Sequence, residues 1–376
     1  MSLITKIETW ITKPEKSIDG WSILKPFLFL KLSLSDGLNG WGEAFTLPTR
    51  EKGMVEIIHN LATYIASSSL QDLDPYEFHR KANLIADGHR GLDYSSATSA
   101  LEMSLWDIKG KRENKSLSKI LSKNPKRNVA VYANTWSEIS PNCEKISKRA
   151  LELLKQGYGG IKIYPLQNRS VDQAASCVSL IRGTIGSDTP LMLDLACPAD
   201  PNDSLKLATL VKEFNPYWFE EPVDGEKTKM LKSIRNQTGL RIMTGEKQCG
   251  VNHYMETLYA EAVDIFNPDI AGVGGIIDML KISELSKENN VVISPHCWNS
   301  MSIAAAAMLH FCAADSNTDK AEIFPDYIEN GLKYCENNFI IKNGHAELND
   351  KPGLGVAVNV DNLIKLTSDY KETKLN

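Results

Sequence analysis

Between residues 129 and 325, short apolar runs end one after another in polar or charged side chains: Lys162 with Tyr164, Asp194, Glu220 with Glu221, Glu246, Asp269, His296 and Glu322. From Asp194 to His296 these groups stand 26, 26, 23 and 27 residues apart. One strand–helix unit fills each interval, and in a parallel barrel the C-terminal strand ends form a single rim where catalytic groups collect. One carboxylate at a strand end can simply cap the next helix. Three at successive positions repel one another unless a cation lies between them. Carboxylate oxygens with room for water or substrate suit a hard divalent ion such as Mg2+. The ligand set this predicts is Asp194, Glu220 and Glu246.

Alternation along a strand puts Glu220 on the face of Trp218, inside the barrel, and turns Glu221 toward the helices. His296 ends VVISPH, and Asp269 ends the neighbouring run, DIFNPD. A carboxylate on one ring nitrogen fixes the tautomer and raises the basicity of the other, so this pair reads as a general base. Lys162 and Tyr164, two apart on one strand, share a face, and the lysine can neutralise substrate charge there. Histidines 59, 79, 89, 253, 310 and 345 have no comparable placement.

The elements that must position these groups are visible as changes of period. Residues 3–12 and 21–34 pattern as strands, and DGLNGWGE (36–43) carries a turn into a third. Helical spacing follows over 53–66, 75–86 and 95–110, which makes an α+β unit. Eight apolar runs then alternate with helices: VAVYAN (129–134), GIKIYP (160–165), PLMLDL (190–195), YWFEEP (217–222), RIMTGE (241–246), DIFNPD (264–269), VVISPH (291–296) and AEIFP (321–325). Helical stretches such as 141–156 and 202–213 separate them, and eight units is the count of a closed (β/α) barrel. The expected division is a capping domain over 1–128, a barrel over 129–325, and a segment, 326–376, that packs back on the cap. Its end, SDYKETKLN, is expected to fray.

Composition excludes several classes. With 42 basic and 47 acidic residues the net charge is −5, which argues against a general nucleic-acid binder. A hydrophobic content of 42% excludes wholesale disorder and allows a large core. Seven cysteines (143, 177, 197, 249, 297, 312 and 335) form no Cys-x-x-Cys pair, so a disulfide framework or structural zinc is not expected and a reducing cytoplasm fits. No apolar run approaches the 18 or so residues of a membrane span, and MSLITKIETWITK has no signal-peptide core. The expected partner is a small molecule.

GWGE (40–43), SLWDIKGK (104–111), WFEEP (218–222), TGE (244–246), NPD (267–269), AGVGG (271–275) and SPH (294–296) together resemble the mandelate racemase subgroup of the enolase superfamily, over essentially the whole chain. The resemblance implies an α/β fold, a (β/α)7β-type modified TIM barrel with an N-terminal α+β capping domain. It implies Mg2+ on Asp194, Glu220 and Glu246, an Asp269–His296 base, Glu322 against a substrate carboxylate, and a homo-oligomer. Two positions depart. Racemases of this subgroup carry Lys-x-Lys on the second strand, whereas Tyr164 stands here, a poor base near its ordinary pKa of about 10. After Asp194, Leu195-Ala196-Cys197 lacks the polar residue often found two positions on. No lysine lies near Asp269, which speaks against the muconate-lactonising subgroup.

Such a site removes a proton next to a carboxylate, and Mg2+ with Lys162 would stabilise the enediolate. His296 would move the proton, Tyr164 would protonate a departing oxygen, and Glu322 would bond the enediolate if protonated. One strong base with one candidate acid fits β-elimination: dehydration of a sugar acid to a 2-keto-3-deoxy acid. A cycloisomerase of a sugar lactone or anhydro-sugar acid stands second; DGHRGLD (87–93) and PHCW (295–298) resemble lactone cycloisomerases. A racemase or epimerase stands third. A metal-dependent barrel hydrolase would need a His-x-His pair that VAVYAN lacks. A sugar-acid-binding protein without turnover is the remaining alternative. Specificity is expected from cap loops near 15–25 and 45–54, where Lys25 and Arg50 either meet substrate or stay solvated.

Overall fold

The computed structural model describes residues 3–13, 25–67, 74–136, 142–198, 200–336 and 339–375. The chain opens with three antiparallel strands, β1 (Ile4–Thr12), β2 (Leu28–Leu34) and β3 (Asn39–Ala44). Among the described residues four helices follow: α1 (Glu51–Ser67), α2 (Pro75–Ala86), α3 (Leu92–Glu113) and α4 (Leu117–Leu121). Asp74 caps α2 through the Tyr76 N–H, with Pro75 in the first turn, where its missing N–H does no harm. The GWGE glycines answer a packing need. A Cβ on Gly40 or Gly42 would stand 2.0 Å from the carbonyl oxygens of Ser104 and Ala100, so only glycine lets α3 lie this close to β3.

Eight parallel strands form the barrel: β4 (Asn128–Asn134), β5 (Ile161–Ile163), β6 (Leu191–Asp194), β7 (Trp218–Glu220), β8 (Ile242–Thr244), β9 (Ile265–Phe266), β10 (Val292–Ile293) and β11 (Ala321–Ile323). The ring closes where β11 pairs with β4 and Ile293 bridges to Thr318. Among the described residues seven α-helices alternate with the strands: α5 (Cys143–Lys155), α6 (Val171–Ile185), α7 (Pro201–Val211), α8 (Thr228–Thr238), α9 (Val251–Tyr259), α10 (Ile276–Glu288) and α11 (Ile303–Ala314). This is the (β/α)7β arrangement with an α+β cap. Inward side chains Tyr132, Met192, Trp218, Met243 and Ile265 fill the barrel floor, so the strands carry a packed core and not a pore. Cys143 and Cys177 form a disulfide between α5 and α6, a bridge that the odd cysteine count did not suggest. Among the described residues, no helix is long and apolar enough to cross a membrane.

After the barrel come α12 (Pro325–Tyr334), β12 (Cys335–Glu336), β13 (Phe339–Lys342), β14 (His345–Leu348), β15 (Ala357–Val358), α13 (Val360–Leu366) and β16 (Thr367–Lys374). Asn343 and Gly344, both at positive φ, turn β13 into β14, and β14 pairs antiparallel with β4. The expectation of a frayed end is corrected. Residues 367–374 pair with β1 along their length, and buried Leu375 donates its N–H to Thr5. The strand has no apolar alternation to reveal it; backbone bonds hold it, with Tyr370 Oη donating to Glu8 at 3.0 Å.

A buried charge cluster joins cap to barrel. His79 on α2 places Nδ1 2.8 Å from Glu102 on α3 and Nε2 3.0 Å from Asp278 on α10, while Arg90 lies 2.8 Å from the other Asp278 oxygen. Two carboxylate acceptors call for N–H on both ring nitrogens, the imidazolium form. Burial opposes that charge, yet the bonds to Asp278 and Glu102 outweigh it and raise the His79 pKa to about 9. The stabilisation is fully present below the unfolded value of about 6.5 and is lost as pH rises through about 9, on the order of 3 kcal/mol. Thermal unfolding of wild type between pH 6 and 10 should therefore show a fall that His79→Gln lacks. Parallel profiles for the two proteins would remove the charged histidine from this joint.

Candidate active site

At the C-terminal ends of the barrel strands a cavity of about 550 Å3 is lined by Trp136, Tyr164, Gln167, Asn168, Asp194, Ala196, Glu246, Lys247, His296, Trp298 and Phe324. Four of the eight predicted site groups, Tyr164, Asp194, Glu246 and His296, lie on its wall, while Lys162, Glu220, Asp269 and Glu322 are buried in contact with them. Asp194 and Glu220 are register partners on β6 and β7, and Glu246 follows β8 by two residues. One oxygen of each of these three lies within 4.8 Å of the others. Burial first, then neighbouring carboxylates, push Glu220 far above the usual carboxylate range and Glu246 up to about 7. An all-carboxylate donor set under mutual repulsion fits a divalent cation.

Glu220 shares the barrel interior with Trp218, whose Nε1 donates to Oε2 at 3.0 Å; Asn267 Nδ2 donates to Oε1 at 3.0 Å. Glu221 is turned elsewhere. It accepts from Thr244 Oγ1 at 2.6 Å, the Gly245 N–H at 3.1 Å and Cys197 Sγ at 3.1 Å. Lys162 is fully buried, with Nζ 2.5 Å from Glu322, 2.9 Å from Glu220 and 3.1 Å from Asp194. Burial disfavours its charge, but Glu220 and Glu322 prevail and hold its pKa well above the lysine value.

His296 and Asp269 meet as a bridge between adjacent strand ends, with Nδ1 2.7 Å from Asp269 Oδ2. The Ala271 N–H, 2.8 Å from Asp269 Oδ1, fixes the carboxylate plane. Nε2 lies 3.7 Å from Glu246 and 4.0 Å from Glu322. Burial opposes protonation, but Glu246, Asp269 and Glu322 together raise the imidazole pKa to about 9. Tyr164 Oη accepts from Asn134 Nδ2 at 2.8 Å, and burial drives its pKa far above 10.

Although Glu322 is buried, the charges of Lys162 and His296 and the Cys297 N–H hold its pKa below the usual range, which favours the ionised form that accepts hydrogen bonds. The segment 87–93 contributes nothing to the wall; Arg90 serves the cap–barrel joint instead. Arg50 is a surface residue 3.4 Å from Asp93, whereas Lys25 is buried. Positions 15–24 of the expected cap loop lie outside the described residues. Asn134 was missed, although it ends VAVYAN as Lys162 ends the next run; it also donates to Glu322 at 2.7 Å. Trp136 and Lys247 were missed as well, because nothing local separates them from ordinary loop residues.

The chain is 44% identical to the crystal structure of an enolase from Sargasso Sea environmental shotgun sequencing, with a TM-score of 0.94 and 99% of each chain covered. It is 29% identical to D-galactarolactone cycloisomerase of Agrobacterium fabrum, over 89% of this chain and 90% of that protein. It is 24% identical to D-gluconate dehydratase of Thermoproteus tenax, over 99% of this chain and 76% of that one. Residues 6–122 match the mandelate racemase / muconate lactonizing enzyme N-terminal domain and residues 145–362 the enolase C-terminal domain-like family, so the chain belongs to the mandelate racemase / muconate lactonizing enzyme group of the enolase superfamily.

Proposed function

We propose that the protein catalyses Mg2+-dependent β-elimination from a sugar acid, dehydrating it through an enediolate to a 2-keto-3-deoxy acid. The observation that carries this reading is that one base and one acid share the cavity with Asp194 and Glu246 of the acidic triad. His296, oriented by Asp269, would take the proton on the carbon next to the substrate carboxylate at Nε2 in its neutral form, which a cation on Glu246 would favour by offsetting the negative charge that otherwise keeps the ring protonated. Tyr164 receives the Asn134 N–H on its oxygen and so keeps its own O–H to donate to the departing oxygen. Lys162 meets the charge that develops on the carboxyl group, and its three carboxylate neighbours keep it protonated for that task. Asp194, Glu220 and Glu246 would hold a divalent cation, which when bound would supply Lewis-acid stabilisation of the same charge.

A relative named D-gluconate dehydratase supports this class of reaction. A second reading, cycloisomerisation of a sugar lactone or anhydro-sugar acid, is favoured by the aromatic wall. Trp136, Trp298 and Phe324 offer flat apolar faces that suit a ring, and a relative is named D-galactarolactone cycloisomerase. The two differ only in which oxygen leaves.

The test is a sugar-acid and lactone library with Mg2+ in D2O, following α-deuterium and keto-acid formation, with product NMR to tell water loss from ring opening. Silence in both channels would overturn the proposal. Tyr164→Phe should divide the steps: α-exchange persists while keto acid falls by about 100-fold. Equal loss of both signals would remove Tyr164 from the role of acid.

A further inference from the structure

The loop from Ser294 to Ser302 runs between β10 and α11 and carries His296 and Trp298. Buried backbone in such a loop needs hydrogen-bond partners, and the cap supplies them with opposite charges. Glu43, the last residue of GWGE, accepts from the Ser300 N–H at 2.7 Å, Ser300 Oγ at 2.9 Å and the Ala304 N–H at 2.9 Å. Its carboxylate thus sits at the N-terminal end of α11, where negative charge is favoured. Lys25 Nζ donates to the Trp298 carbonyl at 2.5 Å, 3.7 Å from the centre of the Trp298 ring and 4.3 Å from that of Phe45. Phe45 in turn has its ring centre 6.2 Å from His296 and 6.1 Å from Trp298.

Both charges are out of water, Lys25 at 3% exposure and Glu43 at 0%. Burial pulls the Lys25 pKa down to about 7, opposed by Asp269 and Glu43; it pushes Glu43 up to about 7, opposed by the Ala304 and Ser300 donors and by Lys25. Two desolvated charges with these partners are more than the cap needs for adhesion, which apolar contacts would provide.

We propose that Lys25 and Glu43 are positioning residues: a two-charge clasp from the cap that grips the loop after His296 by a carbonyl and by N–H groups, and so holds the imidazole and the Trp298 wall in place. The clasp reaches the substrate only through that loop. Its kinetic consequence rests on the proposed reaction; its structural consequence does not.

The experiment compares Lys25→Met, Glu43→Gln and the double variant by steady-state kinetics, Mg2+ titration and amide hydrogen exchange. Each single variant should lose about 10- to 100-fold in kcat, the scale of a small misplacement, with Mg2+ affinity within threefold of wild type. Peptides over 296–304 should exchange faster while β5 to β8 keep their protection. The double variant should lose less than the product of the singles, because both act on one loop. Wild-type protection of 296–304 in either single variant overturns the clasp, as does wild-type kcat. Should Glu43→Gln not fold, Lys25→Met decides by the same readings. Should wild type turn over no sugar acid, the reaction is wrong and hydrogen exchange alone still decides the clasp.

Discussion

His296→Asn should lower solvent exchange of the α-proton by about 100- to 10,000-fold, the range for loss of a positioned acid–base group. Asparagine keeps a polar group of similar reach beside Asp269 but has no nitrogen that can take a proton at neutral pH. The base that remains closest by chemistry is Tyr164, and burial has pushed its pKa the wrong way for that task. Lys162 cannot substitute either, because Glu220 and Glu322 hold its proton on. Mg2+ binding should survive, since the three acids stay in place. NMR of substrate incubated in D2O, with Mg2+ affinity measured on the same preparation, checks both halves. Exchange at the wild-type rate with Mg2+ bound would transfer the base role away from His296.

That one substitution can carry so much weight follows from how the barrel distributes its chemistry. The acidic intervals were readable because a parallel barrel repeats one unit, and a side chain at a strand end keeps its place in each repeat. Strand identity was readable too, although the extents were not: β9 and β10 have two paired residues each, and beyond them only the isolated Asp269–His296 bridge pairs the two runs among the described residues. What failed to show was whatever depends on distant partners. The 367–374 strand has alternating exposure but no apolar face, so β1 alone defines it. Asn134 looks like an ordinary strand-end amide until β11 places Glu322 beside it. Lys25 reads as a surface charge in isolation; its burial comes from the loop that carries Trp298, some 270 residues later. The ionised state of Glu322 is likewise set by Lys162 and His296, from two other strands.

Lys162→Met should give a protein that Mg2+ stabilises more than it stabilises wild type, yet one with kcat lower by about 100- to 1,000-fold. The ammonium is the shared counter-ion of Asp194, Glu220 and Glu322, and all three contacts are out of water. Removing one partner from a buried charge cluster costs about 3–5 kcal/mol, because the other charges remain desolvated. Metal-free Lys162→Met should therefore melt well below metal-free wild type, with Glu220 drawn further toward its protonated form. A divalent cation restores the missing positive charge, and no ammonium then opposes its approach to the triad. The rise in melting temperature on adding Mg2+ should accordingly be larger in the variant. Activity does not return with stability, because the donor that meets the developing charge on the substrate carboxyl is gone. Calorimetry with and without Mg2+, paired with turnover, separates the two consequences. Equal Mg2+-induced shifts in variant and wild type would mean that the cation does not sit among the acids Lys162 neutralises.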